Sequence, residues 1–172
     1  MGAIWAASAG VNGSRKINTA LTEIMTISQG VHALYAQQST TGDSDGTYET
    51  TNLISAGVFP SSMIASSNVF NPWGTSAVNS VNVTSQSISI ANTGDAIAIE
   101  FQNIPTAGCV GILLGAAQDT SLVHASATTL SAPLNNSTLA TPFILNTTSN
   151  AANNVCSISS RVNVQLAFKL RG

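Results

Sequence analysis

The chain has 172 residues, enough for one domain with its own core. Apolar residues are 44% of it and charged residues only 7%, so Ser, Thr, Asn and Gln must cover the surface that most soluble proteins cover with charge. Five basic and seven acidic residues, a net charge of −2, argue against nucleic-acid binding, which needs clustered Lys and Arg. A weakly charged surface suits subunits that pack side by side, because little charge is desolvated at each contact.

Met1 to Val11 (MGAIWAASAGV) is apolar but falls short of the roughly 20 residues that span a bilayer, and it lacks the basic start of a secretory signal. Residues 1–13 are therefore expected to be flexible or foreign to the fold, with 14–172 forming a single globular domain. Asn12-Gly13-Ser14 is a turn signal in which Ser14 can cap a helix. Leu21, Ile24, Val31, Leu34 and Tyr35 lie on a three-and-four spacing that predicts a helix over about 15–38, its broad apolar face free for packing or assembly. Gly30 weakens that helix by up to about 1 kcal/mol relative to Ala, so tertiary contacts must hold it.

Loop and sheet are expected over about 39–108. Gln38 to Gly46 reads as a loop, and Thr51 to Val58 as a short helix closed by Gly57 and stopped by Pro60. A second loop carries Asn71-Pro72-Trp73-Gly74, in which Pro72 fixes φ, Gly74 is permissive and Trp73 can anchor the turn in the core. Val78 to Val83, Ser87 to Ala91 and Ala96 to Phe101 are strand candidates, the last two joined by a hairpin turn at Asn92-Thr93-Gly94-Asp95. Pro105 can open a helix over about 105–117 that contains Cys109. Residues 118–155 show only short apolar fragments (Leu130, Leu134, Leu139, Phe143, Ile144, Leu145) between polar clusters and read as ordered loops and short strands. The last segment, about 161–171, alternates strictly: Val162, Val164, Leu166, Phe168 and Leu170 face one way, Arg161, Asn163, Gln165, Lys169 and Arg171 the other.

Cys109 and Cys156 are the only cysteines. In a chain so poor in charge they favour one disulfide formed in an oxidising compartment, the alternative being two buried thiols in a cytosolic protein. A closed loop of about 47 residues would contribute roughly 4 kcal/mol in the chain-entropy account. The histidines, His32 and His124, read as ordinary surface or half-buried residues; no G-x-S-x-G elbow and no C-x-x-C accompanies them. No catalytic residue, metal or cofactor is expected. Asp43-Ser44-Asp45-Gly46 with Glu49 has a superficial likeness to a calcium loop but lacks its third acidic position and distal bidentate Glu, so it reads as a solvated turn. Gly111 and Gly115 form a G-x-x-x-G in a run too short to span a membrane, which predicts a small helix lying tightly on a sheet.

These pieces in this order resemble the type IVb pilins and their PilS-like branch over about residues 15–172. The resemblance rests on Val31-His32-Ala33-Leu34-Tyr35, on Asn52-Leu53-Ile54 followed by Gly57-Val58-Phe59-Pro60 and Met63, on Asn71-Pro72-Trp73-Gly74, and on Ile104-Pro105 leading to Cys109 with Cys156 before the last strand. It implies an α+β pilin fold, in which a long N-terminal amphipathic helix packs on an antiparallel sheet. It also implies a disulfide-bounded variable region, here 109–156, exposed on a fibre. Family members begin with a methylated residue and a long apolar helix that anchors the subunit in the inner membrane and then forms the filament core. This chain shows neither and is expected to be a truncated soluble form, meeting membrane only through that absent segment and unable to polymerise normally. The implied function is a structural subunit of an extracellular fibre on a Gram-negative surface. Its partners would be other copies of itself and a host or recipient receptor or glycan; its tasks would be adhesion, aggregation or conjugative contact. The alternatives are a pseudopilin of a type II secretion system and a secreted carbohydrate-binding or phage-fibre module. An enzyme is least favoured.

Overall fold

The computed structural model describes residues 2–44, 46–88, 94–130 and 149–170. Helix α1 (Gly2–Leu34) is 33 residues long. It begins ahead of the Ser14 cap and ends before residue 38, so the helix lies displaced toward the N-terminus from its expected span. Ala-rich sequence is a good helix former, and an Asn-Gly pair inside a helix costs propensity without forbidding the helix. Ala20, Ile24, Ile27 and Val31 form its buried stripe, with Tyr35 packed beside it, whereas Leu34 is exposed. Gly30 faces Val58 so closely that a methyl group there would come within 2.9 Å of the valine side chain. The glycine that weakens α1 locally is thus what lets the 56–60 loop lie against it.

Helix α2 (Thr50–Ser55) follows, and Gly57 sits at φ +72° just beyond it, the left-handed position that closes a helix. A small hairpin joins β1 (Ile64–Ala65) to β2 (Asn68–Val69) through Ser66 and Ser67, both at positive φ as a tight two-residue turn requires. The main sheet comprises β3 (Val81–Gln86), β4 (Ala96–Pro105), β5 (Leu122–Thr128) and β6 (Arg161–Lys169), antiparallel throughout and in the order β3-β4-β6-β5. Of the strand candidates, the first begins later than expected because Ala77–Asn79 is a 3₁₀ turn. Ser87 and Ile88 lie outside β3, and 89–91 are outside the described residues. Helix α3 (Thr106–Ala116) follows Pro105 directly, and α4 (Ser149–Cys156) leads into β6.

One sheet face carries Val81, Val83, Ile97, Ile99, Phe101, Val162, Val164, Leu166 and Phe168, which form one apolar cluster with α1 and α3. The other face carries the polar half of the β6 alternation, and much of it is buried. Asn163 and Gln165 are buried, as are Thr84, Gln86, Glu100 and His124 in the neighbouring strands. The register explains how polar groups tolerate this. Glu100 pairs with Gln165 across the β4–β6 ladder, and Gln165 Nε2 donates to Glu100 Oε2 at 2.7 Å. Gln102 Nε2 donates to the other carboxylate oxygen at 2.7 Å. Amides on the same and neighbouring strands thus satisfy both Glu100 oxygens, whereas Gln165 Oε1 and His124 Nδ1 on this face have no partner.

Candidate functional site

Helix α1 keeps one side exposed along its described side chains. Asn18, Thr19, Thr22, Met25, Thr26 and Gln29 are exposed along it. The three threonines do not offer their hydroxyl protons outward: Thr19 donates to the Arg15 carbonyl at 3.0 Å, Thr22 to Asn18 at 3.0 Å and Thr26 to Thr22 at 2.8 Å. Between this strip and the 60–62 turn lies a groove lined by Asn18, Thr19, Thr22, Thr26, Pro60 and Ser62, with Glu23 in its wall. Glu23 is 8% exposed and its Oε2 has no hydrogen-bond partner. Burial raises its pKa from 4.5 to about 7. Sequence reasoning passed over Glu23. The signal was its position inside the apolar stripe, three residues after Ala20 and four before Ile27.

On its other side α1 meets α3 through the two glycines of the G-x-x-x-G. A methyl group at Gly111 would come within 2.7 Å of Ile17, and one at Gly115 within 2.5 Å of Leu21. The glycines therefore admit side chains of α1, whereas the sequence predicted close seating on the sheet. Leu21, Ile24 and Met25 of α1 also line an apolar cleft with Gly115, Ala116 and Phe168. Cys109 of α3 and Cys156 of α4 form a disulfide that closes a 47-residue separation, and both are fully buried. The middle of that enclosed region (131–148), with Leu134, Leu139, Phe143, Ile144 and Leu145, lies outside the described residues; Leu130 is exposed.

The Asn71-Pro72-Trp73-Gly74 turn is built around Asn71. Its Oδ1 accepts from the Trp73 N–H at 2.9 Å, an Asx turn, while its Nδ2 donates to the Gln102 carbonyl at 2.7 Å and ties the turn to the end of β4. Trp73 is half-buried and lies over Gly108, where a methyl group would come within 2.6 Å of the indole. Gly74 approaches Asn79 in the same way, at 2.7 Å. Asn79 in turn accepts from Asn103, a residue at φ +58° where β4 departs from regular pairing with β6.

Residues 46–49 run beside β3: the Gly46 N–H donates to the Ser85 carbonyl and the Glu49 N–H to that of Val83. Glu49 is buried rather than solvated, unlike the turn the sequence predicted. Its pKa is raised by burial, opposed by a hydrogen bond from Asn52, and raised again by the nearby charge of Asp43. Tyr35 is raised too, by burial first and then by Glu49 and Asp43. Asp45 lies outside the described residues, and among those described no group of three metal-ligating side chains converges. His32 Nε2 bonds the Lys169 carbonyl at 2.6 Å. His124 is buried, against the expectation of an exposed or half-buried ring; its Nε2 meets Ser126 Oγ at 3.2 Å while Nδ1 has no partner, so no acid orients the ring toward that hydroxyl. Burial lowers its pKa. Among the described residues no helix is long and apolar enough to cross a membrane.

A family model described as PilS N terminal matches residues 14–160. Among solved structures, the fold is similar to a type IV b pilin from Salmonella typhi, with a TM-score of 0.61 and 17% identity over 90% of this chain and 99% of that one. It is also similar to TcpA, a type IV pilin from Vibrio cholerae El Tor biotype, with a TM-score of 0.58 and 10% identity over 90% of this chain and 98% of that one. No curated protein sequence matches the chain.

Proposed function

Because the chain belongs to the PilS N-terminal family of type IVb pilins, we propose that it is the repeating structural subunit of a type IVb fibre on a Gram-negative cell surface. Adhesion, cell aggregation and conjugative contact are the tasks such a fibre would serve. The observation that carries the reading is α1 itself. It runs for 33 residues, and its exposed side is uncharged from Asn18 to Gln29 apart from the recessed Glu23. A helix face of that kind can be buried against another subunit without desolvating ions. The disulfide joins the first turn of α3 to the end of α4, and in a fibre the 109–156 region that it bounds would face outward partners.

A sugar-binding module has less support. Such sites stack sugars on exposed aromatic rings, and among the described residues Tyr48 is the only aromatic that is mostly exposed. The test is to shear surface appendages from cells carrying the gene and its assembly machinery, then label them with antibody to this chain. Continuous labelling along fibres that vanish on gene deletion is expected. Antigen confined to the periplasm, or to sparse points on fibres built from another subunit, would overturn the reading.

A further inference from the structure

The groove lined by Glu23 borders a carboxyl group with one buried oxygen unpaired. Glu23 is 8% exposed, and its buried Oε2 has no partner. The threonines lining the groove spend their hydroxyl protons on carbonyls of their own helix. Pro60 and Ser62 supply the opposite wall, so no cationic or titratable side chain other than Glu23 lines the groove from either element. Arg15 and Lys16 sit on α1 itself, displaced by seven or eight residues, roughly 11 Å along the axis. A buried acceptor at the foot of an open, neutral groove fits a donor that comes from outside the subunit.

Resting on the fibre reading above, we propose that this groove receives a cationic side chain from a second copy of the chain, with Glu23 as its acceptor. Charge complementarity supplies the occupant. The described surface carries few cations, and Arg15 and Arg161 are exposed. Arg161 Nη1 donates to the Asn103 carbonyl at 2.9 Å, and a guanidinium has five N–H donors to share among partners. An incoming ammonium or guanidinium would ionise Glu23 and form a charge-assisted hydrogen bond in a site shielded from water. Whatever fraction of that carboxyl is protonated in the isolated subunit would release its proton to solvent as the contact forms. The contact would therefore fix subunit register through one pair on an otherwise uncharged face.

The test uses the complete gene in fibre-building cells and measures sheared-fibre yield alongside electron microscopy. Glu23→Gln is expected to cut yield by about tenfold, and Glu23→Arg to abolish fibres. One of Arg15→Glu, Lys16→Glu or Arg161→Glu, combined with Glu23→Arg, should restore them. Melting curves of the purified variants establish that each still folds. If Glu23→Gln yields fibres like the wild type, or if no reversal restores Glu23→Arg, the groove is not this contact. A wild type that forms no fibre would instead sink the fibre reading, and this inference with it.

Discussion

Glu23 and His124 are both buried, and burial acts on them with opposite sign. For Glu23 the neutral, protonated form is favoured in the fold, which raises the pKa from 4.5 to about 7. Its contribution to stability is complete below about pH 4.5 and is lost as pH rises through about 7. For His124 the neutral form is again favoured, but here the pKa falls below 6.5, so its contribution is complete above that value and is lost as pH falls. Replacing Glu23 by Gln keeps the shape and removes the buried charge. After discounting for solvent screening the penalty is on the order of 1–2 kcal/mol. The Glu23→Gln variant should then melt close to the wild type near pH 5 and roughly 3–6 °C above it near pH 8, as followed by circular dichroism. A difference that stays constant across that range would show that Glu23 is not protonated in the fold. The matching His124→Ala comparison should lose its pH dependence on the acid side instead.

At the scale of elements, the disulfide does for α4 what its sequence cannot. Ser149–Cys156 (SNAANNVC) is rich in Asn, which competes for its own backbone, and an eight-residue helix is marginal alone. Cys156 ties it to α3, and Ala152 packs into the common core. Opening that link frees a 47-residue separation in the unfolded chain, which the entropic account values at about 4 kcal/mol. Reducing the bond, or replacing both Cys109 and Cys156 by Ser, is expected to lower the unfolding free energy in urea by that amount. Amide exchange should accelerate in α4 before the sheet. An unchanged urea midpoint would mean that packing alone holds the two helices. The same element shows where sequence reading stops. The α1 stripe, the alternation of β4 and β6 and the start of α3 at Pro105 are local periodicities, and they were legible. Strand β5 (LVHASAT) alternates poorly and exists because β6 offers it a ladder, while α4 exists because a disulfide holds it. The alternation of β6 revealed two faces, but that the polar one is buried depends on Glu100 and Gln165 meeting across strands. Glu23 was hidden for a related reason: a stripe of apolar residues does not say that the acid inside it lacks a partner.

Across the whole molecule, neutral groups do the work that ion pairs do in most soluble proteins. Only 7% of the residues are charged, and among the described residues the buried acids rely on amides or leave an oxygen without a partner. Glu100 is held by the amides of Gln102 and Gln165, Glu49 has one oxygen on the Asn52 amide and the other without a partner, and Glu23 likewise has an oxygen with no partner. The core is the apolar cluster shared by α1, α3 and the sheet, and its burial does not depend on ionic screening. Surface ion pairs are what salt weakens, because beyond a Debye length of roughly 10 Å at 0.1 M they are screened. With a net charge of −2 there is also little self-repulsion for salt to relieve. The melting temperature should therefore move by less than about 2 °C between roughly 0.01 M and 0.3 M sodium chloride near neutral pH, where preferential-exclusion effects stay small. A decline steeper than that would mean that charged side chains pair across the surface and hold the fold. The flat response is also what a side-by-side subunit needs: contacts made by Thr, Asn and apolar groups persist when the ionic strength outside the cell changes, and only a pair such as the one proposed at Glu23 would respond.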